Sequence, residues 1–386
     1  MTGLQGSAYV TGWGVCLPNA PVDNSQIEDV LGRLKWQSAG VKRRVLMNNG
    51  IKTRYYAVDP SNGEVTHTNA EMTAEAIRNL CRNSGFSATN IQCLASGTSI
   101  ADQVIPSHAS MVHAEIGCPP CEIISPSGVC CSGISALKYG FLNIVAGGCD
   151  NAVVTGSELA SPSLRVSHFE PQIRLNAKDL EDRPLLPFSS EFLRWMLSDG
   201  AGALLITSSP NTDSLSLRID FVDLVSYGNE SEVCMYFGLH KNQDGTVESY
   251  RTVDDEAKLF RGGFLSLSQD VRVLNDRLPT LMKTAVRQMV EKRGLIPYDV
   301  DWLLPHYSSQ YFRQRLYDGL VDVGFEIPWE RWFTNLSTKG NTGSAAIYIM
   351  LEELMSSGKV QRGQRILGMV PESSRMLFGF VHFTVV

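Results

Sequence analysis

The sequence has little that would direct the chain to a membrane or to a nucleic acid. No apolar stretch approaches the roughly 20 residues that a bilayer-spanning helix needs. Lys and Arg total 34 against 40 Asp and Glu, so the formal net charge is −6, and no long basic tract reverses it. The opening residues, MTGLQGSAYVTG, lack a basic region followed by an apolar one, so we expect no signal peptide. From these absences we expect neither a membrane nor a nucleic acid as a partner of the protein.

The cysteines do not suggest a disulfide framework. There are nine of them, an odd number, and without a predicted signal peptide they indicate reduced thiols in a cytoplasm. Hydrophobic residues make up 43% of the chain and charged residues 19%, which is typical of a globular protein. A chain of 386 residues suits two lobes with an ample core. The composition therefore favours a cytoplasmic enzyme.

A weak internal repeat, with an offset of about 210 residues, organises the chain. Amphipathic stretches at 71–83 and 281–292 each reach a glycine and lead into an apolar strand, IQCLASGTS or DWLLPHYSS. Strand-like segments CEIISPSG and WFTNLSTKG follow, then helices that open with small residues, then buried strands NAVVTGSE and RILGMVPE. Strands that alternate with helices predict sheets covered on both faces. We therefore predict a duplicated α/β fold, with halves at 1–208 and 209–386.

Three polar residues fall at predicted strand ends. Cys131 opens the helix CSGISALKYG, His306 follows the strand WLLP, and Asn341 stands between glycines before the matching helix of the second half. In open α/β sheets, ligands gather at the carboxyl ends of the strands, so the three side chains could meet in one site. Taken singly, each has an ordinary alternative: an inert core thiol, a structural histidine, or a turn before a helix.

The adjacent cysteines cannot both face such a site, because neighbouring residues of a helix point about 100° apart. Cys131 directly precedes the slim turn of Ser132 and Gly133, where the helix dipole and free N–H groups favour a thiolate. The sequence therefore predicts Cys131 as the reactive thiol and places Cys130 in the core behind it.

Other motifs carry weaker signals. CPPC at 118–121 has thioredoxin-like spacing without the following helix, and together with His113 it lacks a second ligand pair at zinc spacing, so no metal is expected. SDGAGALL lacks the lysine of a P-loop and predicts a tight turn into a buried strand. The cluster Lys42, Arg43 and Arg44 is either a solvated face or a docking point for an acidic partner.

In these motifs the chain resembles the β-ketoacyl-ACP synthase III family of the thiolase superfamily. The matches run in order through nearly the whole chain: GIKTRYYA, IPSHAS, CCSGISAL, VVTGSE, SDGAGALL, DWLLPHYS and GNTGSAA. The resemblance implies a duplicated thiolase fold with five layers, αβαβα, and a homodimer. It also implies Cys131 as nucleophile, with His306 and Asn341 as its catalytic partners, and it implies no cofactor.

The implied reaction has two stages. Cys131 would take an acyl group from a thioester of CoA or acyl carrier protein. His306 and Asn341 would then hold the thioester oxygen of a second unit, commonly malonyl, while CO2 leaves and the carbanion attacks the acyl-cysteine.

Three departures from the family pattern bear on the substrate. Arg44 and Asn48 stand where relatives stack the adenine of CoA, so delivery by acyl carrier protein is expected, with Lys42, Arg43 and Arg44 as its docking site. The glycine-rich loop near the C-terminus is replaced by charged and hydroxyl residues that we expect to bind substrate: Glu372, Ser373, Ser374 and Arg375. The connection at 161–197 is long and is expected to cap the site.

In these features the chain resembles relatives that form cyclohexanediones on the way to dialkylresorcinols. Glu372 would then move a proton during ring closure. A conventional chain-initiating synthase remains the alternative. A papain-like protease shares the chain order Cys, His, Asn but not the sequence around its cysteine, and a non-catalytic ketosynthase subunit would have lost one of the three residues.

Overall fold

A large sheet made of two similar halves organises the molecule. In the computed structural model, which describes residues 6–34, 39–168, 192–242 and 244–386, the sheet has nine strands in the order β5-β4-β6-β7-β1-β8-β15-β14-β13. The strands are β1 (Tyr9–Cys16), β4 (Cys93–Thr98), β5 (Glu122–Ile124), β6 (Asn151–Glu158), β7 (Gly200–Thr207), β8 (Leu217–Ser226), β13 (Trp302–Pro305), β14 (Arg365–Glu372) and β15 (Leu377–Val385).

Short strand pairs and helices complete the described residues. The pairs are β2 (Val22–Asp23) with β3 (Thr53–Arg54), β9 (Met235–Tyr236) with β12 (Ser268–Gln269), and β10 (Leu239–Lys241) with β11 (Val247–Ser249). The α-helices are α1 (Ile27–Leu31), α2 (Ala39–Asn49), α3 (Asn69–Ser84), α4 (His108–Ile116), α5 (Ser132–Val145), α6 (Glu256–Arg261), α7 (Val271–Arg293), α8 (Arg313–Asp322), α9 (Leu336–Lys339) and α10 (Ala346–Ser356). None of the described helices is long and apolar enough to cross a membrane.

The two halves of the sheet repeat one pattern. In the first half β4 is parallel to β5 and β6, and β7 and β1 follow antiparallel. In the second half β13 is parallel to β14, and β15 and β8 follow antiparallel. The halves join where Tyr9 and Val10 of β1 pair with Arg218 and Leu217 of β8. The duplicated α/β fold is therefore confirmed, while the boundary predicted at 208/209 lies between β7 and β8 and stays a prediction.

The helices form layers around the sheet. Helices α3 and α4 pack on the outer face of the first half, and α7 packs on the second half with α8 beside it. Helices α5 and α10 lie between the halves and contact strands of both. Gly133 of α5 permits their close approach, because a Cβ there would lie 2.4 Å from the Ser344 carbonyl oxygen. This is the five-layered arrangement that the sequence predicts.

Local signals explain most element boundaries. Thr68 and Glu71 form a reciprocal capping box that begins α3, and Gly85 ends it in the left-handed conformation. One predicted element differs: in WFTNLSTKG only Trp332 bridges to the sheet, at Leu303, and Leu336–Lys339 is a short helix. Of the cap segment predicted at 161–197, residues 169–191 lie outside the described residues.

Candidate active site

The start of α5 lies where strands of both halves end. Cys131 is the residue that immediately precedes the helix, and its backbone N–H donates to Glu372 Oε2 at 2.8 Å. The Val129 N–H donates to the same oxygen at 2.9 Å. Because the first N–H groups of a helix have no partner within the helix, a carboxylate is favoured at this position. Glu372 thus ties the end of β14 in the second half to the helix start of the first.

The two cysteines at this helix start have different surroundings. The Cys131 thiol is fully buried and donates to the Val370 carbonyl oxygen at 3.1 Å. Burial raises the pKa of both thiols well above the ordinary value, and the Glu372 carboxylate raises each of them further. Cys130 instead lines two neighbouring cavities, whereas Cys131 is not among the described residues that line either one. The assignment of the reactive thiol to Cys131 therefore stays a prediction, with Cys130 as the cysteine that borders the cavities.

The smaller cavity brings together the histidine and asparagine predicted from the sequence. Its volume is about 50 Å³, and His306, Asn341 and Cys130 all contribute to its wall. Most of the remaining lining is apolar: Met196, Met235, Leu274, Leu278, Pro279, Met282, Phe312 and Leu316. The chain thus places His306, which follows β13, and Asn341, which lies between two short helices, beside a cysteine of the first half.

His306 is held at the end of β13 as a neutral imidazole. Its backbone N–H donates to the Met369 carbonyl oxygen of β14 at 2.8 Å, and the residue is buried. Burial lowers the pKa of His306 to about 4. At neutral pH the ring therefore carries one N–H donor and one acceptor nitrogen, and no charge.

Asn341 is fixed by its own backbone and side chain. Its N–H donates to the Met196 carbonyl oxygen at 2.9 Å, and its Oδ1 accepts the Gly343 N–H at 3.0 Å. With Oδ1 engaged in this way, the Nδ2 group is the part of the amide left to donate a hydrogen bond in the cavity. His306 and Asn341 together can supply two donors to one oxygen atom.

The second cavity is larger and meets the first at shared walls. Its volume is about 300 Å³, and Cys130, Met235 and Asn341 line both cavities. The rest of its wall is formed by Ser99, Ile100, Val129, Glu158, Leu197, Val233, Tyr236, Phe237, Leu239, Leu267, Gly343, Ser374 and Arg375. One cysteine therefore borders two separate, mainly apolar spaces.

The proteins that this chain resembles in sequence and in structure are named as acyl-condensing enzymes. The family model described as 3-oxoacyl-[acyl-carrier-protein (ACP)] synthase III C terminal matches residues 290–370. The β-ketoacyl-[acyl-carrier-protein] synthase III of Clostridium perfringens is 24% identical over 94% of both chains. Its namesake from Roseobacter denitrificans is 26% identical, over 93% of this chain and 94% of the relative. Over nearly its whole length the chain is therefore similar to β-ketoacyl-ACP synthase III enzymes.

Solved structures agree on the fold. AbyA1, a tetronic acid condensing enzyme, superposes with a TM-score of 0.76 at 19% identity, covering 98% of this chain and 99% of AbyA1. The 3-oxoacyl-[acyl-carrier-protein] synthase III of Aquifex aeolicus gives 0.69 at 22% identity, covering 98% and 100%. Xanthomonas campestris OleA with bound lauric acid and lauroyl-CoA gives 0.70 at 16% identity, covering 98% and 99%. The protein is thus an acyl-condensing transferase with a thiolase fold, similar to the synthase III enzymes.

The loop that replaces the family's glycines contributes to both cavities. Ser373 lines the smaller cavity and accepts a hydrogen bond from Gln269 Nε2 at 3.1 Å, while Ser374 and Arg375 line the larger one. Arg375 Nε donates to the Gly228 carbonyl oxygen at 2.8 Å, which fixes its orientation. Glu372 is not among the described lining residues, since its carboxylate is engaged by backbone N–H groups and by the Ser374 hydroxyl. Its predicted contact with substrate stays a prediction.

A buried carboxyl group in the larger cavity was missed by the sequence reasoning. Glu158 is the last residue of β6, and its Oε2 accepts a hydrogen bond from the Ser99 hydroxyl at 2.5 Å. Burial raises the pKa of Glu158 to about 7. The signal was present in VVTGSE, because Glu158 ends a buried strand as His306 does, and the same strand-end argument applies to it.

The basic cluster on α2 is partly neutralised. Lys42 Nζ lies 2.7 Å from Glu28 Oε2 and 4.9 Å from the centre of the Trp195 ring. Arg43 and Arg44 are exposed on the same helix. Two of the three predicted carrier-binding residues thus present their charge to solvent, and docking of a carrier there remains a prediction.

Proposed function

We propose that this synthase III-like protein loads an acyl group onto Cys130 and joins it to a second thioester-bound unit delivered on acyl carrier protein. The observation that carries the proposal is the shared wall of the two cavities, where Cys130 and Asn341 border both spaces and His306 borders one. A condensing site needs a thiol reached by two substrates in turn, together with donors for the oxygen that gains charge.

The choice of Cys130 over Cys131 follows from the contacts of the two residues. The Cys131 thiol donates to the Val370 carbonyl oxygen, and Cys131 is not among the described residues that line either cavity, so an acyl group on it would have to displace packed residues. Cys130 needs no such displacement, because it already lines the cavities. Sequence reasoning favoured Cys131 on its position before the slim helix turn, and the two assignments predict different acylated peptides.

His306 and Asn341 would stabilise the second stage. A neutral imidazole N–H and the Asn341 amide can both donate to the thioester oxygen of the incoming unit as an enolate forms on it. The pKa of His306, about 4, keeps this donor uncharged through the physiological range. Loss of CO2 from a malonyl unit, or deprotonation of a 3-oxoacyl unit, gives the carbanion that attacks the acyl-cysteine.

The larger cavity supports a second unit bigger than malonyl. A space of about 300 Å³ with a mainly apolar wall suits an alkyl chain, whereas the smaller cavity, of about 50 Å³, has room only for a short part of an acyl group. Glu158 lines the larger space with a pKa of about 7, so it can exchange a proton at neutral pH. We therefore favour a 3-oxoacyl partner and a cyclised diketone, as in dialkylresorcinol-type biosynthesis, over the linear product of a chain-initiating synthase.

Mass spectrometry and product analysis test this function. The intact protein would be incubated with medium-chain acyl groups on CoA, pantetheine and acyl carrier protein, and the acylated peptide mapped. The loaded enzyme would then receive malonyl- or 3-oxoacyl-carrier protein, with Cys130→Ala as the control. We expect acylation of Cys130, a benefit from the carrier, and a cyclised product with the 3-oxoacyl partner. An exclusively linear 3-oxoacyl product made from malonyl carrier protein would establish the chain-initiating role instead.

A further inference from the structure

Three possible metal ligands converge at the end of α4, away from the cavities. His113 lies in the last turn of this helix, which ends at Gly117 with φ +66°. The left-handed glycine reverses the chain, and the following segment CPPC leads into the edge strand β5. As a result, the ligand atoms of His113, Cys118 and Cys121 all lie within 4.8 Å of one another.

These three side chains fit a zinc ion better than other common metals. Zn²⁺ takes thiolate sulfur at about 2.3 Å and imidazole nitrogen at about 2.0 Å, usually with tetrahedral geometry. Ligand atoms in such a site are about 3.7 Å apart, so the observed spread closes by about 1 Å through side-chain rotation. A donor set of two sulfurs and one imidazole excludes Mg²⁺ and Ca²⁺, which prefer oxygen ligands.

Backbone carbonyl groups lie within hydrogen-bond distance of the His113 ring. His113 Nε2 lies 3.2 Å from both the Cys118 and the Pro119 carbonyl oxygens. A ring nitrogen that donates to a carbonyl leaves the other nitrogen unprotonated, and such an outer hydrogen bond is typical of histidines that bind metals. The same contact also ties the ring to the loop that carries both cysteines.

A redox-active disulfide is the main alternative for this segment, and the geometry favours it less. Cys118 and Cys121 are both free thiols in this structure, and all three residues are half-buried. Reactive CxxC pairs owe their low thiol pKa to a following helix, whereas here a strand follows. A disulfide would also leave the position of His113 over the pair without a role.

We propose that His113, Cys118 and Cys121 bind one Zn²⁺ ion, with a water molecule as fourth ligand. The ion would join the end of α4 to the entry of β5, an edge strand whose Glu122 and Ile123 are exposed. Spacing alone predicts no metal in this segment, because a second ligand pair is missing. The fold supplies His113 as the third ligand from the preceding helix.

Metal titration of the full-length protein, without an affinity tag, tests the proposal. The protein would be reduced, stripped with a chelator, and titrated with Zn²⁺ against a chromophoric competitor and with Co²⁺ under argon. We expect one Zn²⁺ per chain, and for Co²⁺ the charge-transfer absorption of thiolate ligation with the intense visible bands of four-coordinate geometry. Zn²⁺ should also raise the melting temperature of the wild type.

Variants make the test specific. Cys118→Ser, Cys121→Ser and His113→Gln should each weaken Zn²⁺ binding by more than the roughly 10- to 100-fold cost of losing an outer hydrogen-bond partner. Cys81→Ser removes another half-buried thiol and His67→Gln another half-buried histidine, and both should bind as the wild type does. Circular dichroism would show that each variant is folded. These readouts do not depend on acyl transfer, so the result stands whether or not the proposed function holds.

Two outcomes would overturn the zinc site. One is the absence of stoichiometric Zn²⁺ binding by the reduced wild type, most clearly if thiol counting shows a Cys118–Cys121 disulfide before reduction. The other is Zn²⁺ binding that persists unchanged in the Cys118→Ser/Cys121→Ser double variant, which would place the ion elsewhere.

Discussion

Two glutamates that end equivalent strands in the two halves of the sheet differ in their surroundings. Glu158 ends β6 in the first half, and Glu372 ends β14 in the second. Each carboxylate crosses to the helix start of the opposite half: Glu372 accepts N–H groups of Val129 and Cys131, and Glu158 accepts the backbone N–H of Ser344. The halves are thus tied together at the site by a reciprocal pair of carboxyl groups.

The difference between them lies in the remaining partners. Glu372 is engaged by two backbone N–H groups and the Ser374 hydroxyl, and it is not among the described cavity residues. Glu158 lines the larger cavity, and burial raises its pKa to about 7. One copy of a duplicated position therefore holds a helix start, while the other lines the larger cavity, where its proposed role is to exchange a proton with a bound molecule. The duplication places a glutamate at the same strand end in each half, and the neighbours of each glutamate determine its chemical properties.

The largest effect expected on this site concerns the cysteine pair that Glu372 supports. Cys130→Ala should abolish self-acylation, because it removes the sulfur that borders both cavities. Cys131→Ala should retain most of it, since that thiol is packed against Val370 and Leu377. Intact-mass measurement after incubation with acyl thioesters checks both variants. Peptide mapping that finds the acyl group on Cys131 would restore the assignment made from the sequence motif.

The next effect separates loading from condensation. His306→Ala and Asn341→Ala should lower the condensation rate by about 100- to 1000-fold each, the usual cost of losing a donor to a developing oxyanion. Loading of Cys130 should fall much less, because neither residue is proposed to bind the first acyl group covalently. Single-turnover measurements of acylation and of product formation distinguish the two steps. Condensation at near wild-type rate in both variants would remove their proposed role.

A pH profile of stability tests the duty assigned to Glu158. Its folded pKa of about 7 exceeds its ordinary value of 4.5, so the folded state retains a proton that the unfolded chain releases between these pH values. Folding is therefore favoured by this group below pH 4.5, and that advantage, about 3 kcal/mol, is lost as the pH rises through 7. The difference in unfolding free energy between wild type and Glu158→Gln should show this slope. A pH-independent difference would mean that Glu158 does not titrate there.

The sequence predicts much of this arrangement because hydrophobic patterns and strand ends are local signals. The paired elements of the repeat, the buried strands NAVVTGSE and RILGMVPE, and the meeting of His306 with Asn341 all follow from them. The orientation of the cysteine pair does not follow from these local signals. It depends on the rotation of α5, which is set by its contacts with the other half, including the Tyr348 hydroxyl that donates to the Gly133 carbonyl oxygen at 2.7 Å. Glu158 was missed, and the backbone partners of Glu372 were not predicted, for the same reason, since each carboxyl group finds its partners across the halves.

The smallest expected effect is a change in unfolding free energy, and its sign should differ between substitutions of the two glutamates. Glu372→Gln keeps an oxygen acceptor for the Val129 and Cys131 N–H groups but removes the negative charge from the start of α5. Losing that charge should lower the unfolding free energy at neutral pH by about 1 to 2 kcal/mol, the range for a buried carboxylate at a helix N-terminus. Denaturant unfolding at pH 7.5 or so, with the exposed Glu330→Gln as control, provides the measurement. Glu158→Gln should move the other way under the same conditions, because it relieves the cost of ionising a buried carboxyl group. If both substitutions destabilise the protein equally, the two glutamates have the same structural role. The proposed difference between Glu158 and Glu372 would then be wrong.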